Sequence, residues 1–495
     1  MQQRAHAGRR AARALALALA AAALWAPWSP AAAQGFGLNE IGSCAIGRGF
    51  AVTGAPCDDA SVLYWNPAAA TTLARGLSAY GGVSAVQVRG SFTADATRRR
   101  DAGDVPVEFP PFLGVNWRNG RLALGVAGYV PYGLTSQWRD DFPGRFAAQR
   151  ASLQTIYVQP NVAFELVPGR LSVGGGPVFG HSSLELRQAL DFSASPITSA
   201  PLLAAFGLPA GSTYAALGYA EGTEFARAQI EGSGTGFGYN LGAFARVSDA
   251  LSVGVRYLSE VRFDYEEGEA TFTPSPAAAG YVLQAGNPLL GATTPALPAG
   301  TTLATITGPQ FTGAGALAPG QLVSSRIDHP AQFQVGVGFT GIRNATLSAD
   351  YALIRWSSFQ ELPVTFLPRA GGGASPPSRT IIENYEDSHS VRVGGEYRLA
   401  GGLAGRAGFS YATSPAPDET VTPLLPDMDR YNVNVGVGIP LGARLALDAA
   451  YLRVETEGRR GRTGERTAAQ TAEQVNNGFY ALNANIFSLS LKARF

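Results

Sequence analysis

The C-terminal end of the chain constrains its fold more than any other stretch. Phe487, Leu489, Leu491, Ala493 and Phe495 alternate with Ser488, Ser490, Lys492 and Arg494. Successive side chains on a strand point to opposite faces, so this segment has one wholly apolar face and one polar or charged face. Tyr431, Val433, Val435, Val437 and Ile439 alternate in the same way with Asn432, Asn434, Gly436 and Gly438. Phe333, Val335, Val337 and Phe339 do so against Gln332, Gln334, Gly336 and Gly338, and residues 251–257 repeat the pattern less cleanly.

About fourteen such segments follow one another from residue 76 to the end. Short turns join them at Arg118-Asn119-Gly120, Val167-Pro168-Gly169, Ser248-Asp249, 341–344, 400–402 and 440–442. Between these turns lie long connections near 93–107, 133–150, 188–223, 265–325, 368–382, 414–428 and 456–478. A soluble β-protein has no reason to alternate short and long connections. A transmembrane barrel does, because its strands turn tightly on the periplasmic side and carry long loops outside. The expected fold is therefore all-β: a 14-stranded antiparallel transmembrane β-barrel over 76–495, with its apolar faces toward lipid. The even strand count leaves both barrel ends on the periplasmic side.

Composition and the N-terminus agree with that location. Only 15% of the residues are charged, against about 25% in soluble chains. The net charge of +1 gives no reason to expect a nucleic-acid partner. Arg4, Arg9, Arg10 and Arg13 precede an apolar run over 14–24, and Ala31-Ala32-Ala33 offers a small-residue cleavage site. Residues 1–33 read as an export signal, with Gln34 as the first mature residue. The apolar run is shorter than the roughly 20 residues a membrane helix needs. Both cysteines, Cys44 and Cys57, fall just after it. An oxidising compartment makes a disulfide between them plausible, with two separate thiols as the alternative.

Residues 34–75 lack period-two alternation and are too short for a domain, so they read as a hatch inside the lumen. Two of the long connections are peculiar. No charged residue occurs over 270–325 or over 192–220. They carry Leu202, Leu203, Phe206, Leu208, Tyr281, Leu283, Leu289 and Leu290, which read either as a capture surface for an apolar ligand or as low-complexity filler. Catalytic chemistry finds little support. His6 lies in the export signal, and His181, His329 and His389 show no metal-ligand spacing. No nucleophile elbow stands in a strand–turn–helix context. No cofactor or metal is expected. The alternate glycines over 232–238 lack the lysine of a phosphate loop and read as close packing of a strand against the hatch.

Gly35-Phe36-Gly37-Leu38-Asn39-Glu40, Gly47-Arg48-Gly49-Phe50, Asp58-Asp59-Ala60 and Asn66-Pro67-Ala68 resemble the start of the FadL family of outer-membrane hydrocarbon transporters. The resemblance continues through Pro131-Tyr132-Gly133-Leu134 with Trp138, Arg262-Phe263-Asp264-Tyr265 and Trp356-Ser357-Ser358-Phe359-Gln360-Glu361-Leu362. Pro426-Asp427-Met428-Asp429-Arg430 and the terminal Asn485-Ile486-Phe487 complete it, so it spans the mature chain in order. It implies a barrel with a lumenal hatch that passes fatty acids or hydrocarbons without energy coupling. It also implies capture between the third and fourth exterior loops, a pocket beside the hatch, and sideways exit through a gap at a kinked third strand. On that basis Gly35, Phe36, Asn66, Pro67 and Ala68 are hatch or gate candidates. Arg187, Arg256 and Arg262 are candidate partners for an anionic head group, with pairing to hatch acids as their alternative role. The expected partners are a hydrophobic ligand, outer-membrane lipid and lipopolysaccharide, and the expected state is a monomer. A structural or adhesive barrel and a general porin stand as alternatives.

Overall fold

The computed structural model describes residues 35–495 apart from 96, 192, 194–202, 205–206, 218–221, 223, 276–297, 303–320, 369–377 and 462–476. The segments that alternate in sequence form strands. They are β1 (Gly76–Ala94), β2 (Pro111–Asn119), β3 (Leu122–Tyr129, resuming at Gly133–Gln137), β4 (Arg150–Val167), β5 (Leu171–Leu190) and β6 (Ala226–Arg246). Next come β7 (Leu251–Leu258, resuming at Val261–Pro274), β8 (Gln321–His329, resuming at Gln332–Phe339) and β9 (Ala345–Ile354, extended by Glu361–Phe366). The wall ends with β10 (Ser388–Arg398, preceded by Arg379–Ile382), β11 (Ala404–Ala412), β12 (Arg430–Pro440), β13 (Leu445–Thr456) and β14 (Gly478–Arg494). Each strand pairs antiparallel with the next, and β14 returns to β1 in a register running from Ser78↔Arg494 to Ala94↔Gly478. The result is a closed 14-strand barrel. Closure gives every strand a neighbour on each side, so that no edge strand is left in lipid.

The six tight turns lie where turn residues cluster, with Gly120 at φ 59° and Gly169 at φ 65° in the left-handed region that favours glycine. The fourth exterior connection is shorter than the sequence pattern suggests, because β7 continues to Pro274 and β8 begins at Gln321. In β7 the buried Tyr265, Gly268 and Ala270 are separated by exposed Glu266, Glu267 and Glu269, and the irregularity between Tyr265 and Gly268 breaks the period of two that apolar patterning detects.

The outward faces form an apolar belt. Ile156, Val158, Val162, Phe237, Leu241, Val391, Val393, Val433, Phe487, Leu489 and Leu491 are all exposed. So much unburied hydrocarbon on regular strands is what a lipid solvent calls for. The inward faces meet residues 35–75, which are almost wholly buried from Ile41 to Leu73. Two short helices, α1 (Ser43–Gly47) and α2 (Val62–Trp65), are held by wall side chains from several sides. Ser43 Oγ lies 2.6 Å from Ser490 Oγ on β14, and Asn434 Nδ2 of β12 donates to the Ile46 carbonyl at 2.7 Å. The Asp350 carboxylate of β9 accepts from the Thr53 amide at 2.7 Å, and Gln159 Nε2 of β4 donates to the Leu63 carbonyl at 2.8 Å. Cys44 and Cys57 form the disulfide, tying α1 to the segment before α2.

Glycines decide how closely hatch and wall approach. A Cβ at Gly254 would collide with the Thr53 carbonyl, at Gly336 with the Asp350 side chain, at Gly394 with the Arg48 carbonyl, and at Gly408 with the Gly49 amide. Gly254 faces Gly336 across β7–β8, and Gly394 faces Gly408 across β10–β11. The alternate glycines near 232–238 behave differently from expectation. A Cβ at Gly234 would meet the Asp264 carbonyl at 2.6 Å, and one at Gly238 would meet Ser259 Oγ at 2.6 Å. They make room for the bend in β7, and the hatch-facing glycine on β6 is Gly242, beside Asn66 and Pro67.

Candidate functional site

Pro131 creates an interruption of the wall against which residues 36–38 dock. It lies between the two segments of β3 and has no amide to donate, so the ladder breaks there. Below the break β3 pairs with residues 157–164 of β4, and above it with 150–154, leaving 155 and 156 without β3 partners. The free backbone groups of the bend are taken up by the hatch. Leu38 N donates to the Pro131 carbonyl at 2.9 Å, and Gly133 N donates to the Phe36 carbonyl at 2.8 Å. The N-terminal arm of the hatch thus docks on the bend as a short strand would.

Beside this contact a cavity of about 420 Å³ lies at the break in the wall, lined on its inner side by Leu38, Val86, Val88, Leu134, Leu153 and Leu482. A second cavity, of about 840 Å³, lies at the short-turn end beneath the hatch. Its lining is charged: Arg406 bridges Glu396 at 2.8 Å and Asp448 at 2.5 Å, with Arg48, Arg398 and Lys492 nearby.

Phe36 plugs the inner end of the arm. Its ring sits among Trp356 (4.6 Å between centroids), Phe359 (5.3 Å), His329 (5.5 Å) and Tyr132 (5.9 Å). Tyr132, from the β3 bend, donates its hydroxyl to the Pro330 carbonyl at 2.6 Å and accepts from Gln332 Nε2 at 2.9 Å. Gln332 Oε1 in turn accepts from Arg256 Nη1 at 3.0 Å. A continuous polar chain therefore links a lumenal arginine to the bend.

The sequence candidates separate in space. Phe36 reaches the β3 bend through its carbonyl, which accepts from Gly133 N, but neither Gly35 nor Phe36 lines the opening. Asn66, Pro67 and Ala68 lie lower on the wall, where Asn66 Nδ2 donates to the Thr53 carbonyl at 3.0 Å and the Ala243 carbonyl at 3.1 Å. They do not line the opening. Arg256 is fully buried, 4.0 Å over the Tyr64 ring, and its Nη2 has no partner among the described residues. Arg262 is exposed and committed to Asp328 at 2.8 Å. Arg187 is half-buried on β5, with Nε unpartnered among the described residues. Of the loop candidates, Leu203 and Leu208 are half-buried and joined by a backbone hydrogen bond of 2.9 Å. Leu202, Phe206, Tyr281, Leu283, Leu289 and Leu290 lie outside the described residues. Leu38, Val86, Leu153 and Leu482 escaped sequence reading because each is an ordinary inward-facing residue. A proline inside a strand was the available sign.

Two buried acids flank the arm, both outside the apolar belt. Burial pushes the Glu383 carboxyl up to about 8, and neither of its oxygens has a partner among the described residues. Burial also raises Asp427 to about 7, opposed by hydrogen bonds from Ser414 and the Gly35 amide and by the charge of Arg430. Both values lie above those of the unfolded chain, so the fold favours the protonated forms. Their contribution to stability is full below the unfolded values, near 4.5 for Glu383 and 3.8 for Asp427. It is lost as pH rises through the folded ones. Amide exchange over 383–387 and the 35–38 arm, corrected for intrinsic rates, should therefore quicken between pH 6 and pH 9. Glu383→Gln should remove most of that dependence at 383–387. A protection pattern constant over this range in the unaltered protein would show that these acids do not titrate in the fold.

A closed 14-strand barrel with an apolar belt and a buried N-terminal segment defines an outer-membrane barrel. The family model described as outer membrane protein transport protein (OMPP1/FadL/TodX) matches residues 24–495. The chain belongs to that family. It is 25% identical over 451 residues to the long-chain fatty acid transport protein of Escherichia coli O6:H1, covering 90% of each chain. It is 25% identical to the 47 kDa outer membrane protein of Pasteurella multocida, covering 94% of this chain and 97% of that one. Among solved structures, a Pseudomonas aeruginosa FadL homologue superposes with a TM-score of 0.70 at 20% identity, covering 93% of this chain and 100% of that one. The Pseudomonas putida toluene transporter TodX does so with a TM-score of 0.63 at 15% identity, covering 94% and 100%. These two likenesses concern the fold.

Proposed function

We propose that the protein takes up hydrophobic molecules, long-chain fatty acids or hydrocarbons, passively across the outer membrane and releases them sideways through the opening at β3. The observation that carries this reading is the contrast between the two cavities. The cavity at the bottom of the barrel is lined by arginines and acids, whereas the cavity at the wall is lined mostly by apolar residues, with Glu108 as its one acid. A hydrocarbon chain gains about 0.8 kcal/mol for each methylene removed from water. For a chain of fatty-acid length, that gain decides for the apolar opening over the charged, watery vestibule. The names of the family relatives, which include fatty acid and toluene transporters, support the ligand class.

In this reading the exterior loops collect ligand, and a pocket beside the hatch receives it. The arm bearing Phe36 must leave its aromatic cage before the chain can pass. Arg256 is the arginine suited to hold a carboxylate on the way. It is buried without an acidic partner among the described residues, and buried charges are ordinarily paired. A general porin fits less well, because the inward faces meet residues 35–75, almost wholly buried from Ile41 to Leu73.

The test is Leu134→Trp, which puts an indole into the wall opening from a half-buried position on β3. Uptake of labelled fatty acid should fall to the level of cells lacking the protein, while heat-modifiable gel migration shows the barrel assembled. Undiminished uptake by the folded variant would rule out the lateral route.

A further inference from the structure

The opening is not apolar at its outer lip. On the membrane side it runs past Gln154, Ile156, His181 and Ser183. It reaches that face because β4 lacks β3 partners at 155 and 156, so the cavity passes round the bare edge of β4. His181 pairs with Ile156 in the β4–β5 ladder and projects from the barrel. Nearer the short turns lie Phe179 and Phe237, exposed and packed edge to face at 5.5 Å, which belong to the apolar belt. Toward the exterior the same face of β5 continues with Ser183, Glu185 and Arg187. His181 therefore stands at the upper margin of the belt, where the opening empties.

An ionisable side chain facing lipid is costly and marks a functional place by default. The other outward histidine, His389, is occupied, with its Nδ1 2.7 Å from the Tyr351 hydroxyl. No described residue hydrogen-bonds the His181 ring. On the β1 side of the opening stands Glu108, whose Oε1 accepts from Thr135 Oγ1 at 2.9 Å. Its charge disfavours a second carboxylate inside the opening and leaves the His181 lip as the place for one.

We propose that this lip is an exit-side head-group subsite, at which His181 and Gln154 hydrogen-bond the carboxyl group of a long-chain acid while its tail still lies in the wall cavity. The inference rests on the lateral-release reading and adds a chemical preference to it. Ligands with a carboxyl head gain a step at the lip that pure hydrocarbons do not.

The experiment compares uptake of oleic acid with that of octadecane in cells carrying the unaltered protein, His181→Leu, His181→Gln or Leu134→Trp, each checked for assembly by heat-modifiable migration. His181→Leu should lower oleic acid uptake about fivefold, the size expected for one lost hydrogen bond. Octadecane uptake should change less than oleic acid uptake, and His181→Gln should restore most of the loss. Equal loss for both ligands would make His181 structural and overturn the proposal. No change for either, with Leu134→Trp still blocking both, would overturn the proposal and leave lateral release standing. If Leu134→Trp blocks neither, lateral release falls and the subsite falls with it.

Discussion

A Gly254→Val barrel should conduct ions steadily where the unaltered barrel is nearly silent. Gly254 lies on the inner face of β7 where the hatch backbone runs against the wall, and a Cβ there would sit on the Thr53 carbonyl, with Asn66 Nδ2 only 2.8 Å away. The obstacle is backbone on one side and a closed ladder on the other, so neither can swing aside as a flexible side chain would. Overpacking of this kind costs about 1–3 kcal/mol, a shift of about 5- to 150-fold between docked and displaced hatch. The wall, paired on both sides of β7, is the stiffer partner, so the hatch should yield. Gly408→Ala, which collides with the Gly49 amide from the opposite side of the lumen, should act in the same direction. Gly405→Val, where a Cβ meets nothing within 4 Å, is the control. Single-channel recording in planar bilayers checks the outcome. Folded Gly254→Val protein with unaltered low conductance would show that the hatch is not held by this close approach.

Removing the disulfide should loosen the same segment without touching the ladder. Cys44 and Cys57 are 13 residues apart and enclose the stretch that crosses the glycine pairs. In the chain-entropy account, closing a loop of this size stabilises by about 3 kcal/mol. Cys44→Ala with Cys57→Ala should therefore raise amide exchange over 42–57 by about two orders of magnitude, since each 1.4 kcal/mol is tenfold. Protection in β1 and β14 should stay unchanged. If the hatch keeps its protection, the side chains of Ser490, Asn434 and Asp350 alone are sufficient to hold it. Uptake measured on the same protein would show whether a stiff hatch is needed for gating or only for sealing.

Much of this was readable in the chain. The alternation at 487–495, 431–439 and 332–339 is strong because each strand has lipid on one side and a polar interior on the other, and no other environment asks for that pattern. Turn residues marked the tight connections for the same local reason. The motifs at 35–40 and 131–134 were each legible as parts of the resemblance, but that their backbones meet, Leu38 with Pro131 and Gly133 with Phe36, was not. The alternate glycines at 232–238 misled, because a missing side chain shows that something comes close but not what. There it is the bend of β7, whereas Gly254, Gly336, Gly394 and Gly408 face the hatch.

The sequence by itself determined the barrel, its lipid-facing side and the presence of a segment that could not be a strand. Those properties are written in periods of two residues and in turn chemistry, which act over a few neighbours. Only the tertiary structure decided that the β3 ladder breaks at Pro131 against the 35–38 arm and that Asn66-Pro67-Ala68 lies away from the cavity there. It also separated buried Arg256 from Arg262, which is spent on Asp328. Each of these depends on which residues meet across the lumen, at sequence separations of tens to hundreds. Closing the barrel fixes such distances, and no local pattern encodes them.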